Sequence, residues 1–366
     1  MNHRLSRIEI YVLGRTLAGV GAAAALLAAV VTLIDFVDLS RTLGGRTDVS
    51  FLTELGLALL KSPSVILQLA PFIFLFGVLG AYINLNRNSE LVAIRAAGVS
   101  AWRFILPAAA ASFVMGLAAL ILLNPAAAAM NSAFESARSA ITPDDGLRSR
   151  RIWLRQGDSH TQVVIGAASR TGAGGVSLKD TSLFIYTVDE HGAPEFSRRI
   201  EAAKARLMKG FWRLTDAREA TPGAKAMRYG TLSIPSNLDD RTALERYASP
   251  QSLSFWTLPS AIDRIEEAGF SAVGYRLRLQ QLLATPLLFA AMSILAAAFS
   301  LKLTRLGGVS LLVGTGVASG FAFFFFNQLC ASLARAEAVP PFAAAWIPPI
   351  LALLSAFTLL FYTEDG

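Results

Sequence analysis

Long apolar runs alternate with polar breaks along this chain, and the pattern leaves two hydrophobic ends around a polar middle. From about Thr16 to Ile34 nearly every residue is apolar, enough at about 1.5 Å per residue to cross a hydrocarbon core of about 30 Å. Comparable runs cover about 64–83, 104–123, 279–301, 309–333 and 342–361. They predict six transmembrane helices, three on each side of the polar stretch. A cleaved signal peptide is the competing reading of the first run. That run is longer than an h-region of about 7 to 15 residues and no small-residue cleavage site follows it, so an uncleaved helix is expected. Pro71 and Pro286 fall inside the second and fourth runs, where a missing backbone donor predicts a kink. A polar stretch, 35–54, separates the first two helices, and Pro125 marks a boundary after the third.

From about Met130 to Ser271 the period shortens. Segments 151–155, 162–165, 182–186, 210–215 and 227–231 read as strands between Gly, Asp and Pro turns. Short, regularly spaced strands favour a sandwich, a jelly roll or an open barrel. Leu258, Ile262 and Ile265 at helical spacing, with Gly269 as a stop, predict one amphipathic helix leading back to the membrane. The expected organisation is therefore transmembrane helices over 1–129, a water-exposed β-rich domain over 130–274, and transmembrane helices over 275–366.

One polar island, Asn86 to Ser100, sits between the second and third runs. Asn88 or Ser89 can cap a helix start, Glu90 suits the positive first turn, and Gly98 is a natural left-handed stop. At about 100° per residue Glu90, Ala93, Ile94 and Ala97 share one face. Such a face suits docking into a partner's groove. An ordinary solvated turn between two spans remains the alternative at this point.

Composition supports the membrane assignment and removes others. With 54% hydrophobic residues, 16% charged and a mean hydropathy of +0.49, the chain is too apolar for an ordinary soluble protein. The formal charge of +7 invites nucleic acid, but the basic residues flank apolar runs, where membrane topology puts them. One side carries Arg4, Arg7, Arg15, Arg87, Arg95, Arg103, Lys302 and Arg305, the other Arg41, Arg46, Lys61 and Arg335. The positive-inside rule then makes both termini and the island cytoplasmic and sets the β-rich domain outside. The single cysteine, Cys330, excludes an intrachain disulfide. His3, His160 and His191 are isolated, so neither a metal site nor a cofactor is expected.

Catalytic patterns are missing from the sequence. A GxxxxGK[ST] loop is absent, and Gly307, Gly308, Gly314 and Gly316 read as packing positions. Nothing resembles a nucleophile elbow. Asp144-Asp145, Asp239-Asp240 and Glu266-Glu267 read as solvated faces. The central portions of the six runs hold no ionisable residue, with Asp35 and Lys61 near run ends, so a proton relay lacks its equipment. Energy for any transport must then come from a partner. Phe72, Phe74 and Phe76 crowd the second run, and Phe321, Phe323, Phe324, Phe325 and Phe326 the fifth, with Phe321, Phe324 and Phe325 on one helical face. These aromatics either pack helices or form a wall for acyl chains. Arg41, Arg46, Arg138, Arg276 and Arg278 near outer run ends either anchor helices at headgroup depth or meet lipid phosphates.

Six runs split three and three around a β-rich domain, with Ser89-Glu90-Leu91-Val92 and Ala97-Gly98 between the second and third, resemble the LptF/LptG permeases of the lipopolysaccharide export ABC transporter. Phe36-Val37-Asp38, Trp212-Arg213-Leu214 and Pro348-Pro349 resemble the LptG branch more than the LptF branch. The resemblance implies a periplasmic β-jelly-roll domain and an inner-membrane location in a Gram-negative bacterium. It implies as partners an LptF-like permease, two LptB-like ATPase subunits, an LptC-like bitopic protein and an LptA-like periplasmic bridge, with lipopolysaccharide as substrate. Residues 88–98 would be the coupling helix, with Ser89, Glu90, Leu91, Ala93, Ile94, Ala97 and Gly98 meeting the ATPase. Phe36, Arg41, Phe72, Phe76, Arg138, Arg276, Arg278, Phe321, Phe324 and Phe325 would face substrate. This chain departs from some LptG proteins in carrying Asp35 and Thr42 at positions where they have lysine, and Arg276 with Arg278 would compensate. The LptF-type subunit, a membrane-embedded lipid-modifying enzyme and a recruiting scaffold are the alternative readings.

Overall fold

The computed structural model describes residues 7–43, 50–141, 152–157, 161–171, 176–188, 194–236, 250–267, 271–303 and 309–364. Arg46, Gly269, the three histidines, Gly307-Gly308, Asp144-Asp145 and Asp239-Asp240 lie outside them. The chain divides into two compact units. One is built from residues 1–135, 249–259 and 273–366, the other from 136–248 and 260–272.

The first unit is helical. Its elements are α1 (Arg7–Leu43), α2 (Phe51–Arg87), the short α3 (Glu90–Ala96), α4 (Ala101–Ala118), a π-helical turn (Ala119–Leu123) and the first part of α5 (Asn124–Ile141). After the β-rich segment come α6 (Leu258–Glu267), which begins in this unit, then α7 (Val273–Leu303), α8 (Val309–Arg335) and α9 (Pro341–Glu364). Among the described residues six helices are long and apolar enough to cross a membrane: Arg7–Thr42, Phe51–Arg87, Ala101–Arg138, Val273–Leu301, Gly314–Arg335 and Pro341–Tyr362.

These helices outrun the apolar stretches that predict them. The expected polar break at 35–54 is helical up to Leu43 and again from Phe51, so Asp35, Glu54 and Lys61 all lie within helices. Partnering explains the extension: Lys61 Nζ lies 2.5 Å from Asp35 Oδ1 between α1 and α2. One turn away Thr32 Oγ1 donates to Ser62 Oγ at 3.1 Å. Nor is Pro125 a boundary. The helix runs on through it, and the Ile121 carbonyl, four residues earlier and deprived of its helical donor, accepts instead from the indole Nε1 of Trp256 at 3.4 Å. Asn124 Oδ1 accepts from the Phe255 backbone N–H at 2.8 Å. The π register and these two bonds carry the helix through a sequence that would otherwise end it.

α7 is the centre of this unit and α1 its margin, since 72% of the apolar window of α7 is buried against 11% of that of α1. Small residues allow the close crossings. A Cβ on Gly19 would lie 2.4 Å from Gly77 O, and one on Gly116 would lie 2.5 Å from Pro286 Cα. Backbones meet at both points, as small residues permit in membrane bundles. Beside the α4–α7 crossing, Ser293 Oγ donates to Ser112 Oγ at 2.7 Å. Phe74 stacks on Phe289 with ring centroids 4.3 Å apart.

Among the described residues the second unit holds seven strands: β1 (Ile152–Gly157), β2 (Thr161–Ala167), β3 (Ser169–Thr171), β4 (Ser177–Val188), β5 (Pro194–Met208), β6 (Phe211–Ala220) and β7 (Met227–Pro235). They form one sheet in the order β1-β2-β4-β5-β6-β7, with β3 pairing β4, and every pairing is antiparallel. Five predicted segments fall on β1, β2, β4, β6 and β7. The long β5 was not expected. Trp212, Leu214, Ile165, Leu178, Leu183 and Ile200 form the fully buried core of the unit. Within it Gln156 is a polar hub: its Oε1 accepts from Trp212 Nε1 at 3.0 Å and Ser236 Oγ at 2.6 Å, and its Nε2 donates to Pro235 O at 2.9 Å. Gln156 lies on β1 and Pro235 ends β7, so the two extremes of the strand order meet at this corner. The predicted amphipathic helix is α6, with Leu258, Ile262 and Ile265 buried.

Candidate functional site

The polar island folds as a short helix tightly bounded at both ends. At its start Ser89 has φ 61° and makes no side-chain cap bond, so the expected side-chain capping is not made at this N-cap, and Ser89 O accepts only the ordinary first helical bond, from Ala93 N at 3.0 Å. The left-handed conformation departs from the extended backbone that capping side chains need. Asn88 Nδ2 donates instead to Glu90 Oε1 at 3.4 Å. The end follows the expected stop. Gly98 has φ 78°, Gly98 N donates to Arg95 O at 3.0 Å and Val99 N to Ile94 O at 3.4 Å, which is a Schellman closure. Ile94 and Val99, the pair such a closure brings together, both pack on the helical core.

The face that α3 exposes differs from the face its spacing predicts. Leu91 is 2% exposed and anchors the helix in the core of the helical unit, and Ile94 packs beside it. Glu90 is half-buried: its Oε2 accepts a 2.8 Å hydrogen bond from Tyr11 Oη on α1. Arg15 Nε donates to the same phenol oxygen at 3.0 Å, with its guanidinium carbon 5.2 Å from the Tyr11 ring centroid. Ser89, Val92, Ala93, Arg95, Ala96, Ala97 and Gly98 remain exposed. Of the predicted coupling residues, then, Glu90, Leu91 and Ile94 turn inward, while Ser89, Ala93, Ala97 and Gly98 face out. Sequence reasoning missed Tyr11. Its spacing of four from Arg15 on a helix was the available signal.

Four of the six predicted aromatic residues lie together. Phe72 lies 6.2 Å from Phe76 and 6.0 Å from Phe324, which lies 5.8 Å from Phe325, measured between ring centroids. Glycines bring α2 and α8 together here: a Cβ on Gly320 would lie 3.0 Å from Leu75 Cδ2 and 3.4 Å from Phe72, and one on Gly316 only 2.4 Å from Leu79 Cδ2. Phe321 and Phe325 on α8 are largely exposed, at 58% and 66%. Phe36 is elsewhere, meeting Phe51 edge-on at 5.1 Å and lining an apolar groove of about 510 Å³ between α1 and α2.

The basic positions are dispersed. Arg278 lines a cavity of about 290 Å³ with Lys61, Gln68, Asn124, Asn131 and Glu135, and its Nε has no hydrogen-bond partner among the described residues. Lys61 is the cationic neighbour that sequence reasoning did not select, although its charge is shared with Asp35. Arg41 and Arg276 are exposed on α1 and α7. Arg138 is exposed on the part of α5 that belongs to the β-rich unit.

Among the described residues, six membrane-length helices, an antiparallel β unit inserted in sequence after the third, and a short anchored helix between the second and third define a multi-pass membrane protein with an inserted β-rich unit. Residues 10–362 match the family described as lipopolysaccharide export system permease LptF/LptG, and the chain belongs to that family. Among its relatives are the lipopolysaccharide export system permease proteins LptG of two Escherichia coli strains. Each is 22% identical over 308 residues, a match covering 82% of this chain and 83% of theirs.

Proposed function

We propose that this chain is the LptG-type permease subunit of a lipopolysaccharide export ABC transporter, pairing with an LptF-like subunit and driven by two LptB-like ATPase subunits. It catalyses no reaction itself, and ATP hydrolysis belongs to the partner. The family match over 10–362 and the likeness to LptG proteins support this reading. The observation that carries the coupling role is α3: seven residues held in the core by Leu91 and closed at Gly98, with Val92, Ala93, Arg95 and Ala96 facing out. A rigidly anchored helix with a small, partly apolar outer face transmits a push rather than absorbing it.

In this reading the island and both termini are cytoplasmic, 130–274 forms a periplasmic domain of the jelly-roll type, and 1–129 with 275–366 forms the transmembrane part. Phe72, Phe76, Phe321, Phe324 and Phe325 offer acyl chains an aromatic wall, while Phe36 lines a second apolar surface. Arg41, Arg138, Arg276 and Arg278 meet phosphate groups. Closure of the ATPases moves α3, narrows the space beside the aromatic wall and drives lipopolysaccharide out of the inner membrane toward LptC-like and LptA-like partners.

Affinity purification of the full chain from its native membranes tests the assignment. The expected result is recovery of an LptB-type ATPase and a second permease of the same family, with ATPase recovery reduced about tenfold by Val92→Asp. Recovery of the chain without an ATPase, or unchanged recovery with Val92→Asp, contradicts it.

A further inference from the structure

Glu90 reads from the sequence as the residue that meets the partner, yet its carboxylate is engaged within the chain. Oε2 accepts from Tyr11 Oη at 2.8 Å, Tyr11 Oη accepts from Arg15 Nε at 3.0 Å, and Arg15 also lies over the Tyr11 ring. The order is cation, phenol, carboxylate. A phenol that accepts from a guanidinium becomes a stronger donor to the carboxylate beyond it, so each bond strengthens the other. The negative charge of Glu90 is matched by Arg15 through one intervening hydroxyl.

The chain of bonds joins elements that are far apart in sequence. Tyr11 and Glu90 are separated by 79 positions. A second link on the same end of α1 runs from Arg103 Nε, near the start of α4, to Glu9 Oε1 at 3.3 Å. Val12, next to Tyr11, belongs to the buried core that also holds Leu91. Farther along, α1 is fixed to α2 by the Gly19–Gly77 crossing, the Thr32–Ser62 bond and the Asp35–Lys61 pair. The first turns of α1 therefore grip α3 and the start of α4 directly, while the rest of α1 rides on α2.

We infer that Tyr11 and Glu90 are positioning residues for coupling: their hydrogen bond, polarised by Arg15, ties α3 to α1, so that a force applied to α3 reaches α1 directly as well as through α2. This rests on the coupling role proposed above for α3. Glu90 then orients the helix, and Val92, Ala93, Arg95 and Ala96 supply the surface that the ATPase touches. The two roles of Glu90 predict different consequences for its neutral analogue. A glutamine keeps an oxygen that accepts from Tyr11 but loses the charge, whereas leucine loses both.

The experiment uses the full chain in nanodiscs and, separately, its complex with the permease and ATPase partners. Amide exchange at 91–97 reads the tether without any partner: Tyr11→Phe and Glu90→Leu are expected to accelerate it at least fivefold, Glu90→Gln less than twofold, and the double variant Tyr11→Phe/Glu90→Leu no more than either single one. In the complex, lipopolysaccharide released per ATP hydrolysed is expected to fall at least fivefold with Tyr11→Phe while ATPase recovery stays within twofold of the unsubstituted protein. Glu90→Gln is expected to keep that ratio. Unchanged exchange with Tyr11→Phe overturns the tether, and so does Glu90→Gln behaving like Glu90→Leu while Tyr11→Phe is silent, the signature of a direct charge contact with the partner. If exchange responds as expected but the unsubstituted chain binds no ATPase, the tether stands and the coupling function of α3 falls.

Discussion

Asp35 is 6% exposed and its second carboxylate oxygen has no hydrogen-bond partner among the described residues, where Lys61 is the cation that meets its charge. Removing one member of such a pair leaves an uncompensated charge in a poorly solvated site, which costs more than the pair itself contributes. Lys61→Ala is expected to lower stability by about 2 kcal/mol, below the range of fully buried pairs because the Lys61 side chain keeps 30% exposure. Asp35→Asn with Lys61→Met is expected to restore most of the loss, read from thermal unfolding in detergent. The same reasoning applies to Gln156. Gln156→Leu strands the indole N–H of the fully buried Trp212, and about 1–3 kcal/mol is expected to be lost from the β-rich unit. Tryptophan fluorescence during denaturation checks it. Neither partnership was legible in the sequence: Asp35 and Lys61 are 26 residues apart, Gln156 and Trp212 56. Each residue alone looks like an unremarkable polar position. Gly98 is the opposite case, because a glycine after a short helix has one common use, and its φ of 78° matches it.

At the scale of elements, apolar periodicity located all six membrane helices and the amphipathic α6, but it ended the helices too early. Hydropathy measures the part of a helix that suits hydrocarbon, whereas helices continue as long as polar side chains find partners, as Asp35, Lys61 and Asn124 do. β5 was missed for a related reason. Its Arg198-Arg199 and Glu201-Ala202-Ala203-Lys204-Ala205-Arg206 favour a helix by composition, yet Ile200, Ala202, Ala205 and Leu207 are buried between β4 and β6. Pairing on both edges overrides intrinsic preference. The crossing of α4 and α7 gives an element-level prediction. A Cβ on Gly116 would meet Pro286 Cα at 2.5 Å, a backbone contact that cannot rotate away. Gly116→Val is expected to destabilise the bundle by about 1–3 kcal/mol through overpacking, whereas Gly80→Ala, with open space around it, is expected to leave the melting temperature unchanged.

For the whole molecule, the proposed function involves two surfaces along α2: the outward side of α3, which follows its C-terminal end, and the aromatic cluster of Phe72, Phe76, Phe324 and Phe325, where the middle of α2 meets α8. Phe324 and Phe325 were legible as neighbours because they share one helical face. Their union with the second span was not, since it depends on Gly316 and Gly320 admitting α2 side chains. Transport under this account requires both surfaces in one assembly, with energy entering at the first and substrate held at the second. The most direct test is release of lipopolysaccharide from proteoliposomes holding this chain, an LptF-like permease, an LptB-like ATPase and an LptC-like protein, with an LptA-like acceptor outside. The expected result is ATP-dependent transfer to the acceptor that disappears when this chain is omitted and falls at least tenfold with Val92→Asp. Transfer that proceeds equally well without this chain, or ATP turnover with no lipopolysaccharide released, would contradict it.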